Sequence, residues 1–125
     1  MLLNVIAICA AACVGALLRW SFALWLNPGS LLPWGTLAVN LIGGYLIGIA
    51  IGVFNGLPEI DPVWRLMVIT GFLGTFTTFS SFSAETVGML QNGRAALAFG
   101  TIALHVCGSL CLTWLGFKTV QAFTG

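Results

Sequence analysis

Charge is what this sequence has least of. Four Lys and Arg, three Asp and Glu and one His leave charged side chains at 6% of 125 residues, against 59% hydrophobic. A globular chain normally carries about a quarter charged residues, which keep its surface in water. A soluble fold is therefore excluded, and the chain reads as one all-α integral membrane domain over residues 1–125. The scarcity of Lys and Arg also excludes a basic nucleic-acid footprint. A phosphate-cradling glycine loop, a Ser/His/Asp set and a catalytic acid pair are all missing. Glu59 and Asp61 share the solvated loop Asn55–Pro62 with two prolines, so an enzyme reading has no residues to stand on.

Cysteine gives as little. Cys9, Cys13, Cys107 and Cys111 all fall within apolar runs, away from disulfide chemistry, and say nothing about redox compartment. Two i,i+4 pairs could in principle hold a soft metal. Buried cysteine more often behaves as a small hydrophobe, however, and His105 beside them reads as a hydrogen-bonded packing residue. No Lys or Arg precedes the first apolar run, which continues through Trp25. It is thus expected to remain as a membrane span rather than to be a cleaved signal.

Long hydrophobic runs are abundant. Four of them, over residues 3–26, 34–54, 64–90 and 95–117, approach or exceed the ~20 residues that cross a bilayer as a helix. The cluster Asn27-Pro28-Gly29-Ser30 separates the first two, and Gln91-Asn92-Gly93-Arg94 the last two, both by turn chemistry. Arg19 lies late in the first span, where it either snorkels to the interface beside Trp20 and Trp25 or serves a pore mouth. Ala7, Ala11 and Gly15 form one smooth face. In the second span Thr36, Asn40, Gly44, Gly48 and Gly52 recur every four residues, a stripe that lets another backbone approach closely. Asn40 is its strongly polar member. It either bonds between helices or lines a pathway, where its amide could donate two hydrogen bonds to an anion.

The third run has the wrong composition for an uninterrupted span. From Gly71 to Glu85 it reads G-F-L-G-T-F-T-T-F-S-S-F-S-A-E, hydroxyls and rings with almost no aliphatics. Two glycines followed by adjacent β-branched threonines give the backbone reason to leave α-geometry. Inside a membrane that is tolerated only where the backbone is buried in protein or lines a watery cavity. The third helix is therefore expected to be broken mid-membrane at a transport site. Glu85, the one carboxylate within an apolar segment, is a functional candidate by default.

Orientation follows from the few cations. With the N-terminus on one side, Arg65 and Lys118 fall on that side and Arg19 and Arg94 on the other. A balanced Lys/Arg count predicts insertion both ways about equally. Two oppositely inserted copies could then pair about an axis in the membrane plane, as inverted repeats do in transporters.

The pattern G-x-x-G-x-x-T-T-F-S-S-F-S-x-E, preceded by G-T-L-A-V-N in the second span and followed by G-S-L from Gly108 in the fourth, resembles the Fluc (CrcB) fluoride channels of bacteria. The resemblance covers essentially the whole chain. It implies a passive fluoride-selective channel that exports toxic fluoride, a dual-topology antiparallel homodimer in the bacterial cytoplasmic (inner) membrane. It also implies a structural sodium ion at the dimer centre, held by backbone carbonyls of Gly74 and Thr77. Phe79 and Phe82 would be pore-lining rings, with Asn40, Thr78, Ser80 and Ser81 along the ion's path and Arg19 and Glu85 at a mouth or vestibule. Position 75, often glycine in that family, is threonine here. Two alternatives remain. A small multidrug-resistance-type exporter has the same size and span number but uses a glutamate in its first span, where this chain has none. A non-transporting assembly subunit would leave the hydroxyl-aromatic stretch unexplained.

Overall fold

The computed structural model describes residues 1–124, and every regular element among them is helical. Helix α1 spans Leu2–Leu26 and α2 spans Trp34–Asn55. The third span is composite: α3 (Pro62–Arg65), a π-helix π1 (Leu66–Leu73), a single turn α4 (Gly74–Phe76), and α5 (Phe79–Gln91). Helix α6 spans Ala95–Thr124. Four segments, Leu2–Leu26, Trp34–Asn55, Pro62–Gln91 and Ala95–Thr124, are long and apolar enough to cross a membrane.

The boundaries have local causes. Gly29 (φ 79°) makes the turn after α1, a left-handed conformation that glycine adopts without a Cβ penalty. Pro33 then starts α2. Asn27 Oδ1 accepts from the amides of Gly35 (2.7 Å) and Thr36 (3.3 Å), so the residue that caps the end of α1 satisfies orphan donors at the start of α2. Asp61 caps α3 through Val63 N–H at 3.0 Å, with Pro62 at the first helical position, where its missing donor is not needed. Gly93 (φ 74°) ends α5, and the Arg94 amide closes back on Met89 O at 2.8 Å, the six-to-one closure of a helix C-terminus. The fourth helix continues past Lys118 to Thr124, because no breaker intervenes; the Lys118 ammonium lies 5.3 Å from the Trp114 ring centroid.

Two seams organise the bundle. In one, the glycine stripe of α2 meets α6. A Cβ at Gly44 would come within 3.1 Å of Ser109 O, one at Gly48 would overlap Thr113 O, and one at Gly52 would touch Val120. Thr113 Oγ1 donates to Gly44 O at 2.7 Å and Tyr45 Oη pairs with Thr119 Oγ1 at 2.8 Å. In the other, the smooth face of α1 meets the third span. A Cβ at Gly15 would overlap Thr75 Oγ1 and Phe72 O, and one at Gly71 would come 2.9 Å from both Ala11 Cβ and Ile8 O. The buried core lies between the seams, where Val39, Ala50, Leu73 and Phe76 pack together. Phe76 is stacked on Phe72 (5.5 Å) and edge-on to Phe22 (5.9 Å).

The third span departs from the sequence reading in how it leaves α-geometry. Neither Gly71 nor Gly74 has a positive φ; Gly74 is helical at φ −62°, ψ −27°. Gly71 serves close approach to α1 rather than a turn. The departure falls at the threonines, Thr77 (φ −88°, ψ 161°) and Thr78 (φ −152°, ψ 115°), which are extended between α4 and α5. β-Branched side chains favour that region. The preceding π-helical stretch has no counterpart in the sequence reading.

Candidate functional site

Two extended residues interrupt the helical hydrogen bonding, and side chains take over what the backbone gives up. In a continuous helix the Thr78 amide would bond Gly74 O, and the Ser81 amide would bond Thr77 O. Here Thr78 N–H goes to Asn40 Oδ1 at 2.8 Å, and Ser81 N–H goes to Thr78 Oγ1 at 3.1 Å. The second contact makes Thr78 the N-cap of α5. Asn40 also donates from Nδ2 to Thr78 O at 2.9 Å, so one amide side chain grips both polar groups of one residue. Arg19 Nε donates to Thr75 O at 2.9 Å, replacing the Phe79 amide that a continuous helix would supply. Arg19 thus turns towards the third span through Nε, while Trp20 and Trp25 remain exposed. A hydrogen bond from a charged donor is worth about 1.5–3 kcal/mol, enough to hold the guanidinium there. The Thr75 hydroxyl lies within 3.1 Å of the carbonyls of Ala12, Gly71 and Phe72, tying α1 to the turn before the extended pair.

The carbonyls of Gly74 and Thr77 are thereby left without their helical donors, an arrangement of oxygens that suits a hard cation. Around them an open groove of about 460 Å³ is lined by Asn40, Thr77, Thr78, Phe79, Phe82 and His105, among others. Phe79 and Phe82 stand 5.6 Å apart at 60°. They differ sharply in burial: Phe79 is 77% exposed and Phe82 only 8%.

The groove thus brings together Gly74, Thr77, Thr78, Asn40, Phe79 and Phe82. Ser80, Ser81, Arg19 and Glu85 do not line it. Ser80 is exposed, with Oγ 3.4 Å from Thr78 Oγ1. Glu85 lies in a separate polar chain: Thr36 Oγ1 donates to Glu85 Oε2 at 2.6 Å, and Asn27 Nδ2 reaches Thr36 Oγ1 at 3.4 Å. Glu85 Oε1 is buried with no hydrogen-bond partner among the described residues.

Sequence reasoning missed the contribution of α6. His105, Ser109 and Thr113 all line the groove. Their spacing of four, which places them on one helix face, was the available signal. His105 is buried, and its Nδ1 lies 3.0 Å from Asn40 Nδ2. Its ring centroid is 4.4 Å from that of Phe82, at 34°. The four cysteines are exposed on the outside of the bundle, and no group of three His, Cys, Asp or Glu gathers among the described residues.

Known proteins give this geometry a family. The model described as "CrcB-like protein, Camphor Resistance (CrcB)" matches residues 6–117. A protein of Paracidovorax citrulli named "Fluoride-specific ion channel FluC" is 72% identical over 119 residues, covering 95% of this chain and 94% of its own. Proteins of the same name from Albidiferax ferrireducens and Variovorax paradoxus are 65% identical (95% and 92% covered) and 61% identical (98% of both). Matched across nearly its whole length, the chain belongs to the CrcB family.

Proposed function

We propose that this protein is a passive, fluoride-selective channel that works as an antiparallel homodimer, its two copies inserted in opposite senses in the bacterial cytoplasmic membrane. The observation that carries the reading is the extended pair Thr77–Thr78, lined by donors and rings, in a chain 72% identical to a protein named as a fluoride channel. The pair occupies the sixteenth and seventeenth positions of the 30-residue span Pro62–Gln91, the middle of a membrane crossing. Backbone can leave a helix there only beside protein or water.

Fluoride is small and strongly hydrated, so a pathway must replace its water with donors. Hydroxyls, amide N–H groups and the positive edges of aromatic rings are such donors. Within the groove the Thr78 hydroxyl, the Asn40 amide when one of its N–H groups is free, and the rings of Phe79 and Phe82 would supply these donors, with Ser80 and Ser81 adding hydroxyls outside it.

A single copy leaves the groove open and Phe79 uncovered, which supports a second copy completing the site. The balance of cations, Arg65 and Lys118 against Arg19 and Arg94, supports insertion in both senses. A two-fold axis in the membrane plane would then face the two extended pairs at mid-depth. Gly74 O and Thr77 O, deprived of their donors, would from each copy hold a structural sodium ion. Bound there, the ion would supply a fixed positive charge between the anion paths.

The test is efflux from liposomes containing purified protein and loaded with fluoride or chloride. Rapid release of fluoride with chloride retained supports the reading. Release of neither ion, or of both alike, refutes it.

A further inference from the structure

Both N–H donors of Asn40 are engaged. Its Oδ1 accepts from Thr78 N–H, and one Nδ2 proton goes to Thr78 O. The second Nδ2 proton has His105 Nδ1 at 3.0 Å. An amide nitrogen only donates, so Nδ1 must accept. That requirement sets the imidazole tautomer: neutral, with the proton on Nε2.

A proton added at Nδ1 would place donor against donor and abolish the contact. We propose that protonation of His105 is a switch on the Asn40 amide, releasing one N–H of Asn40 from α6 and making it available to an anion in the groove. This rests on the fluoride-channel reading above. The imidazole lies 4.4 Å from the Phe82 ring centroid, within the range over which a cation is attracted to an aromatic face. Both rings line the open groove, which gives protons a route from water. The switch frees a donor that is engaged at the start and adds positive charge beside the path, and both effects favour an anion.

The other ionisable groups are engaged away from the ring. From α2 there is Tyr45, hydrogen-bonded to Thr119. From α5 there is Glu85, which holds the Thr36 hydroxyl. Helix α6 itself carries Cys107, Cys111 and Lys118, and among the described residues none of these makes a polar contact with the imidazole. Glu85 is the group whose own titration could imitate the effect, and the experiment must separate the two.

Fluoride efflux from liposomes is measured at about pH 8 and about pH 5.5, either side of the ordinary histidine range, with leak from protein-free liposomes subtracted. Wild-type flux should rise about fivefold on acidification, the worth of one hydrogen bond. His105→Asn, which keeps an acceptor near Nδ1 but cannot become a cation, should show little change between the two conditions. Flat wild-type flux overturns the switch, and so does the same rise in His105→Asn, which would assign it to Glu85.

Because the chain has one histidine, ¹⁵N-histidine labelling of the intact wild-type protein gives a single pair of imidazole signals, readable whether or not the variant folds. At the higher pH they should show a bare Nδ1 and a protonated Nε2, with Nδ1 gaining its proton on acidification. An Nδ1–H tautomer, or no titration across the range, overturns the proposal. Absence of fluoride flux at either pH would instead count against the channel reading, while the tautomer remains a separate readout.

Discussion

The α2–α6 seam and the extended pair Thr77–Thr78 solve opposite problems with neighbouring residues. Along the seam both helices are regular, their backbone groups are satisfied within each helix, and the gain comes from closeness: Gly44, Gly48 and Gly116 bring the two main chains into direct contact. In a membrane, where apolar burial gives little drive, such van der Waals packing is what joins helices. At the extended pair, regularity is abandoned, and Asn40, Thr78 and Arg19 take up groups that the helix no longer pairs. The seam is rigid because nothing polar is left over. The pair is chemically open because the carbonyls of Gly74 and Thr77 have lost their helical donors. Asn40 joins them, lying on the same stripe as the seam glycines and reaching across to Thr78.

The sharpest way to break that contrast is to fill the seam. In Gly48→Leu a Cβ would meet Thr113 O and lie 3.1 Å from Gly116 Cα, backbone that cannot turn aside. Overpacking of this kind costs about 1–3 kcal/mol or more, so the purified variant should elute as aggregate or melt well below wild type. A normal melting curve would mean that the seam is looser than described.

At the other region, function should fail before stability does. Phe79 is largely exposed, so Phe79→Ile should melt like the parent yet lose at least about tenfold of its fluoride flux, ~1.4 kcal/mol on the barrier. Phe82→Ile should lose as much flux and also some stability, because that ring is buried against His105. Wild-type flux in both variants would make the rings packing alone.

Smaller effects separate capping from bulk. Thr78→Val removes the acceptor for Ser81 N–H and should cost about 1 kcal/mol of stability, read as a lowered melting temperature, whereas Thr78→Ser should recover most of it. Smallest is Thr75→Ser, which keeps the hydroxyl that reaches Ala12, Gly71 and Phe72. Its melting should stay within about 0.5 kcal/mol of wild type, while Thr75→Val should not.

Much of this was legible in the sequence. The four spans follow from apolar runs bounded by turn residues, and the α2 stripe announced itself by its spacing. The Gly71–Glu85 composition pointed at the place where α-geometry is lost, although of the glycines and threonines credited together only the threonines leave it. The interactions that complete the site were not legible, because they depend on how helices rotate against each other. Asn40 meets His105 across 65 positions, and Arg19 meets Thr75 across 56. Local patterning carries no record of such pairings. The inward turn of Arg19 was missed for that reason; the α6 row of His105, Ser109 and Thr113 was signalled by its spacing of four, but not that it would face Asn40.

The central claim is that one side-chain amide holds the extended pair in working form. Asn40→Asp tests it most directly, because the carboxylate keeps an acceptor for Thr78 N–H while losing the donor to Thr78 O and placing negative charge on an anion's path. Fluoride efflux from liposomes should fall at least about tenfold in protein that still elutes and melts as folded. Wild-type efflux from folded Asn40→Asp would contradict the account.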